Sequence, residues 1–73
     1  MKSKSSTPQL DLHGIKHSDA EVIVEEFVLL STMPVRIITG NSNAMKDIVR
    51  AVLRKHDYKF QDGEFFDGCI TVW

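Results

Sequence analysis

Several features that mark particular protein classes are missing from this sequence. It has one cysteine, Cys69, which cannot form an internal disulfide and lacks the neighbouring ligands of a zinc site. No long apolar run follows the short basic start, so the sequence contains no recognisable signal peptide or membrane-spanning helix. We therefore expect a soluble cytoplasmic protein that does not partner a membrane.

The sequence also lacks an excess of charge of either sign. A net charge of −1 argues against strong indiscriminate binding to nucleic acid, which usually requires a clearly basic domain. This total hides an uneven distribution between the two predicted helices. In the first helix every charged residue is acidic. In the second most are basic, with Lys46, Arg50, Arg54 and Lys55 against Asp47.

Length and composition predict one small domain. Seventy-three residues suffice for a single thin core, and 42% apolar residues is ordinary for a globular protein. Residues 1–8 are rich in Ser and Lys and are predicted to form a flexible tail, with the domain itself spanning 9–73. We expect a monomer or a weak homodimer.

Hydrophobic periodicity predicts six elements. Alternation over 9–13 indicates a strand, and Ser18-Asp19-Ala20-Glu21 has the pattern of a capping box that opens a helix ending near Ser31. The β-branched run 35–39 indicates an interior strand. An N-cap at Ser42 or Asn43 precedes an amphipathic helix over 44–56. The last two strands are predicted at 58–61 and 69–73.

The order of these elements, β-α-β-α-β-β, predicts an α/β fold. Helical crossovers favour parallel pairing of the first strands, and the short last loop favours an antiparallel final pair. Two helices can cover one face of the sheet only, in agreement with the alternation of the first strand. We expect a two-layer sandwich with a four-stranded mixed sheet and both helices on one face.

Asp11 and His13 form the first candidate site. Two positions apart on a strand, their side chains would point to the same side, at the edge where α/β sheets usually bind ligands. A carboxylate can orient a neighbouring imidazole for acid–base chemistry near neutral pH. An exposed polar pair that caps the end of a strand is the alternative interpretation.

Thr39-Gly40-Asn41-Ser42 forms the second candidate site, between a strand and the start of a helix. The free amides and the dipole at a helix N-terminus favour phosphate, and Gly40 permits close backbone approach. An ordinary turn with good caps would have the same sequence. Lys46, Arg50 and Arg54 recur every four residues and could follow a phosphate backbone, or could be a solvated helix face.

Other residues carry weaker signals. His13 and His17 are spaced like a metal pair, but Gly14 disfavours a helix there and no third ligand is evident, so we predict no metal site. Phe65, Phe66 and Trp73 could stack on bases, although core packing explains them more simply.

The motif Leu10-Asp11-Leu12-His13-Gly14 resembles the opening signature of Smr (small MutS-related) domains. Asp19-Ala20 at the helix start and the apolar strand ending in Thr39-Gly40 are similar to later parts of that family's pattern, and the resemblance covers 9–73. Ser42 stands where the family has a second turn glycine. The glycine-rich approach to the last strand is reduced to Gly68.

This resemblance implies a fold like the C-terminal domain of a translation initiation factor, and binding of RNA or DNA. Several Smr domains are nicking enzymes or endoribonucleases, which implies endonuclease activity with Asp11 and His13 as catalytic residues. The resemblance also implies that Thr39 and Gly40 belong to the site, and we predict that they bind phosphate together with Gly14. The residues of this chain extend that set to Asn41, Ser42, Lys46, Arg50 and Arg54.

In the mechanism that we hypothesise, His13 removes a proton from water or from a ribose 2′-hydroxyl, and Asp11 orients the imidazole. Backbone amides after Gly40, with Lys46 or Arg50, would stabilise charge on the phosphate. Whether Mg²⁺ takes part stays open. Two alternatives also stay open: a nucleic-acid-binding module without catalysis, and a protein-interaction domain that uses the uncovered face of the sheet.

Overall fold

A computed structural model describes residues 7–63 and 67–73 of the chain. Four short strands and two helices follow one another in the predicted order. They are β1 (Gln9–Asp11), α1 (His17–Leu30), β2 (Val35–Ile38), α2 (Asn43–Lys55), β3 (Phe60–Asp62) and β4 (Cys69–Val72). Neither helix of this described part is long and apolar enough to cross a membrane.

The strands form one mixed sheet in the order β1-β2-β4-β3. β1 pairs with β2 in parallel, whereas β4 runs antiparallel to both β2 and β3. The predicted two-layer α/β sandwich is confirmed, with α1 and α2 packed on the same side of the sheet. The β-branched strand β2 is interior, as its sequence predicts.

Alternation along the strands separates the two faces of the sheet. Val35, Ile37, Ile70 and Val72 point to the helices and are fully buried with Leu12, Val24, Val49 and Leu53. On the opposite face the pairing register aligns one polar residue from each strand. This row consists of Gln9, Arg36, Thr71 and Gln61.

α2 follows its sequence pattern closely. The Ser42 hydroxyl accepts a hydrogen bond from the amide of Met45 at 3.1 Å, so Ser42 is the N-cap. Met45, Val49 and Val52 lie on the buried stripe. Arg54 and Lys55 occupy the last turn, where their positive charge interacts favourably with the negative end of the helix dipole.

The predicted capping box of α1 is wrong. The helix begins at His17, its N-cap residue is Lys16, and no side chain caps it. Ser18 therefore lies inside the first turn. The start is fixed by packing instead, since half-buried Ile15 contacts the core and its amide donates to the carbonyl of Leu12 at 3.0 Å.

The predicted bounds of two strands also need correction. β1 ends at Asp11 instead of His13. β3 begins at Phe60 instead of Tyr58, because Tyr58 completes a Schellman motif at the end of α2. The Tyr58 amide donates to Leu53 O at 2.9 Å, while Asp57 adopts φ 59° and its amide donates to Arg54 O.

Candidate functional site at one edge of the sheet

The turns that follow β1 and β2 leave the same edge of the sheet. Asp11 pairs with Ile38 in the parallel register, and the amide of Leu12 then donates to Ile38 O at 2.9 Å. His13-Gly14 and Thr39-Gly40 continue directly from these bonded residues. Two of the predicted site segments are thus neighbours, as expected for the carboxyl ends of adjacent parallel strands.

Asp11 and His13 interact through the backbone of the histidine. Asp11 Oδ1 accepts a hydrogen bond from the His13 amide at 2.9 Å, and both residues are exposed. His13 lies in the turn beyond β1, where Gly14 adopts φ +80°. The carboxylate therefore stabilises the turn that carries the imidazole. This bond is the contact expected of a polar pair that caps a strand end.

Thr39 and Gly40 are bound to the loop before β4. The carbonyl of Gly68 accepts from the amides of Thr39 at 2.7 Å and Gly40 at 3.1 Å, and from the Thr39 hydroxyl at 3.1 Å. These three donors of the predicted phosphate site are therefore already engaged. Thr39 is buried, and Gly40 remains exposed at the surface with φ +68°.

Gly68 is a site residue whose structural role the sequence did not reveal. A Cβ at this position would lie 2.7 Å from the carbonyl oxygen of Gly40, closer than real Cβ atoms approach. Gly68 also has φ +89°. Its signals in the sequence are its place immediately before the last strand and its correspondence to the glycine-rich approach of the Smr pattern, and neither indicates the contact with Gly40.

The start of α2 lies at this edge as well. Because Ser42 caps the amide of Met45 and its carbonyl accepts from Lys46 N at 3.0 Å, the residue that replaces the expected glycine orders the first turn. Asn41 and Asn43 are exposed beside it. The positive end of the helix dipole therefore points to the same edge as His13 and Gly40.

The predicted basic ridge of Lys46, Arg50 and Arg54 is largely paired with carboxylates. Lys46 Nζ lies 3.5 Å from Asp67 Oδ1, and only 13% of the Lys46 side chain is exposed. Arg50 forms ion pairs with Asp47 at 3.2 Å and with Asp62. The hydrogen bond from Arg50 to Asp62 raises the pKa of the guanidinium.

Arg54 is the most available cation of the ridge. It is exposed, and its guanidinium lies 5.9 Å from the centre of the Phe60 ring. No carboxylate pairs with it within residues 7–63 and 67–73. Asp67 and Asp62, the partners of Lys46 and Arg50, are far from them in the sequence and have no local signal there.

Lys55 and His56 belong to a separate cluster that joins the two helices. Lys55 Nζ lies 3.2 Å and His56 Nε2 2.7 Å from the same oxygen of Glu25 on α1. The hydrogen bond from His56, followed by that from Lys55, lowers the pKa of Glu25. This cluster stabilises helix packing away from the edge of the sheet.

The part of the chain that the structure describes has no cluster of metal-ligating side chains. No group of three or more His, Cys, Asp or Glu side chains converges there. His17 is exposed at the first residue of α1, whereas His13 lies in the preceding turn. Phe65 and Phe66 lie outside the described residues, and Trp73 is half-exposed.

Comparisons with known protein families, with curated proteins and with solved structures gave no match to this chain. The resemblance to Smr domains therefore depends on the sequence motifs alone and stays a prediction.

Proposed function

We propose that this chain is an Smr-like domain that binds nucleic acid, RNA or DNA, through the edge where β1 and β2 end. The observation that carries the proposal is the hydrogen bond between Leu12 and Ile38, which brings the turn of His13 beside the turn of Gly40. The N-terminus of α2 adds a positive dipole at the same place. A phosphodiester could contact all three features at once.

The charge distribution favours weak, salt-sensitive binding. Lys46 and Arg50 are already paired with Asp67, Asp47 and Asp62, so a phosphate must compete with these carboxylates. Arg54 has no such competitor in the described residues, but it lies in the last turn of α2, about 17 Å along the helix axis from the edge, so it would contact a strand that continues along the helix. The carboxylates that pair with Lys46 and Arg50 reduce the positive charge of the ridge, and the whole chain has a net charge of −1.

Cleavage of the bound strand is a second candidate function. It is favoured by the exposure of His13 in a turn that the Asp11 carboxylate holds in place. The imidazole would remove a proton from water or from a ribose 2′-hydroxyl. That oxygen would then form a bond to phosphorus, while the bond to the leaving oxygen breaks and this oxygen takes a proton from solvent.

Asp11 would be a positioning residue in this mechanism, because its contact is with the His13 amide. Asp11→Asn keeps an oxygen acceptor for that amide and should retain cleavage, whereas Asp11→Ala should lose it. Loss in both variants would indicate that the negative charge itself is required. The position of the His13 amide resonance, read by NMR, reports the turn independently of activity.

The experiment that tests both functions uses labelled single-stranded, duplex and branched RNA and DNA, with Mg²⁺ and with chelator. Binding should weaken as salt rises, and Arg54→Ala should reduce both the affinity and its salt dependence. His13→Ala should abolish cleavage and leave the circular dichroism spectrum unchanged. His17→Ala is the matched control, since it removes another exposed imidazole nearby in sequence.

Three outcomes would contradict one or both of these proposals. Absence of binding to every nucleic acid at low salt would end the binding proposal. Equal cleavage by the wild type and His13→Ala would indicate a contaminating nuclease and end the catalytic one. Binding without cleavage under all metal conditions would leave a non-catalytic nucleic-acid-binding module.

A further inference from the structure

α1 carries apolar side chains on its outer face as well as on its core face. Ala20, Val24 and Val28 are buried against the sheet. On the outside, Leu30 is 86% exposed, Val22 57% and Leu29 56%. The helix therefore presents an apolar ridge that residues 7–63 and 67–73 leave exposed.

Acidic residues share this outer face. Spacings of three, four, three and one positions place five residues on one side of the helix, namely Asp19, Val22, Glu26, Leu29 and Leu30. α1 contains no lysine or arginine. Within the described chain the only ion pairs of α1 are those of Glu25, so Asp19 and Glu26 have no charged partner there.

We propose that this outer face of α1 is a docking site for an amphipathic helix of another protein, with an apolar stripe flanked by Lys or Arg. The distance from Val22 to Leu30 is eight residues, or about 12 Å along the axis, enough for two turns of a partner helix. The partner's apolar stripe would cover Val22, Leu29 and Leu30, and its cations would pair with Asp19 and Glu26. This is helix recognition supported by charge complementarity.

A second copy of this chain fits the same face poorly. A twofold axis perpendicular to the helices would pack two α1 helices antiparallel, with Val22 of each opposite Leu30 of the other, whereas an axis along the helices would place each residue opposite its own copy. Glu26 lies midway between these two positions in the sequence. The two Glu26 carboxylates would then meet at the centre of the contact, where like charges oppose association.

The test is an NMR titration of the isotope-labelled chain with three synthetic helical peptides. The first has a leucine stripe flanked by lysines, the second the same leucines flanked by glutamates, and the third the same lysines with alanine in place of leucine. The first should shift the amides of Val22, Glu26 and Leu30. It should bind at least about tenfold more tightly than either of the others, a difference of about 1.4 kcal/mol.

Two exposed substitutions check the site without disturbing the core. Leu30→Ser and Glu26→Lys should each weaken binding of the leucine–lysine peptide at least about tenfold. Lys59→Ser, which changes an exposed residue before β3, is the control and should bind as the wild type does.

Three results would overturn the proposal. The first is the absence of binding by the leucine–lysine peptide. The second is equal binding of all three peptides, or shifts confined to residues outside α1. The third is a dimer in sedimentation equilibrium that Leu30→Ser dissociates, which would make a second copy the occupant.

Discussion

At the scale of single residues, Gly68 holds the start of β4 against the end of β2. Its carbonyl accepts three hydrogen bonds from Thr39 and Gly40. The close approach requires that position 68 have no side chain, since a Cβ would contact the backbone of Gly40. The geometry of the proposed edge therefore depends on a residue that need not touch a ligand.

Gly68→Ala should consequently destabilise the fold more than Gly63→Ala. Both glycines have positive φ, which costs alanine about 1–2 kcal/mol, but a Cβ at Gly63 would have open space. The additional clash at Gly68 should bring its total to about 2 kcal/mol or more. Urea denaturation of the two variants measures the difference. Equal losses would show that the clash is relieved at no cost.

Two contacts of the candidate site depend on tertiary structure and could not be predicted from residue types and spacing. The types and spacing of Asp11 and His13 were visible, but their contact through the His13 amide was not, because it depends on β1 ending at Asp11. Likewise, Arg50 has one partner three residues away on its own helix and another, Asp62, on β3. The second partner depends on tertiary structure and has no local signal.

At the scale of elements, Ser42 is the residue that both caps α2 and departs from the Smr pattern. Its hydroxyl accepts from the Met45 amide. Ser42→Ala should cost about 1 kcal/mol in the free energy of unfolding, and Ser42→Gly only a few tenths. Ser18→Ala should have little effect, since Ser18 does not cap α1. Thermal or urea unfolding that ranks glycine below alanine would contradict this role.

Glu25 links the two helices, and its lowered pKa predicts a pH-dependent contribution to stability. A carboxyl with a depressed pKa stabilises the fold when the pH is above the ordinary glutamate pKa. This contribution is lost as the pH falls through the lowered pKa of the folded state. Glu25→Gln should therefore lower Tm at neutral pH, by a small amount because the pairs are near the surface.

The Tm difference between the wild type and Glu25→Gln should shrink as the pH falls and vanish below the lowered pKa of the folded state, where the carboxyl is protonated in both states. Glu26→Gln is the matched control, because Glu26 is exposed on the same helix and has no ion pair in the described residues. A difference that persists in acid would assign the effect to packing instead of charge.

Most elements were predictable because their signals are local. α2 has a cap and a regular apolar stripe, and β2 has a β-branched run, so both were placed within one or two residues. The starts of α1 and β3 were misplaced. They are set by packing of Ile15 on the core and by the Schellman motif at Tyr58, which itself donates its hydroxyl to Val28 O.

At the scale of the whole molecule, charges that are separated in the sequence become neighbours. The acidic α1 and the basic α2 pack together, yet only Glu25 joins them by ion pairs in the described structure. The carboxylates of the β3–β4 hairpin instead neutralise the start of the basic ridge. The remaining surface has a proposed phosphate-binding edge and, on α1, an acidic apolar face.

The strand order could not be predicted from the alternation of helices and strands. β4 lies between β2 and β3, and this insertion brings Gly68 and Asp67 to the edge shared with His13 and Gly40. An antiparallel final pair was expected, but which side of β2 it would occupy depends on packing of the whole sheet. The fold class was predictable, whereas the composition of the candidate site was only partly so.

The most direct measurement of nucleic-acid binding at this edge is an NMR titration of the labelled chain with a short single-stranded RNA and a short DNA duplex at low salt. At least one should shift the amides of Gly14, Gly40 and Asn41 together, with a smaller response near Arg54, and added salt should reverse these shifts. Unchanged spectra with both, or shifts confined to α1 or to the polar row of the sheet, would contradict the proposed function.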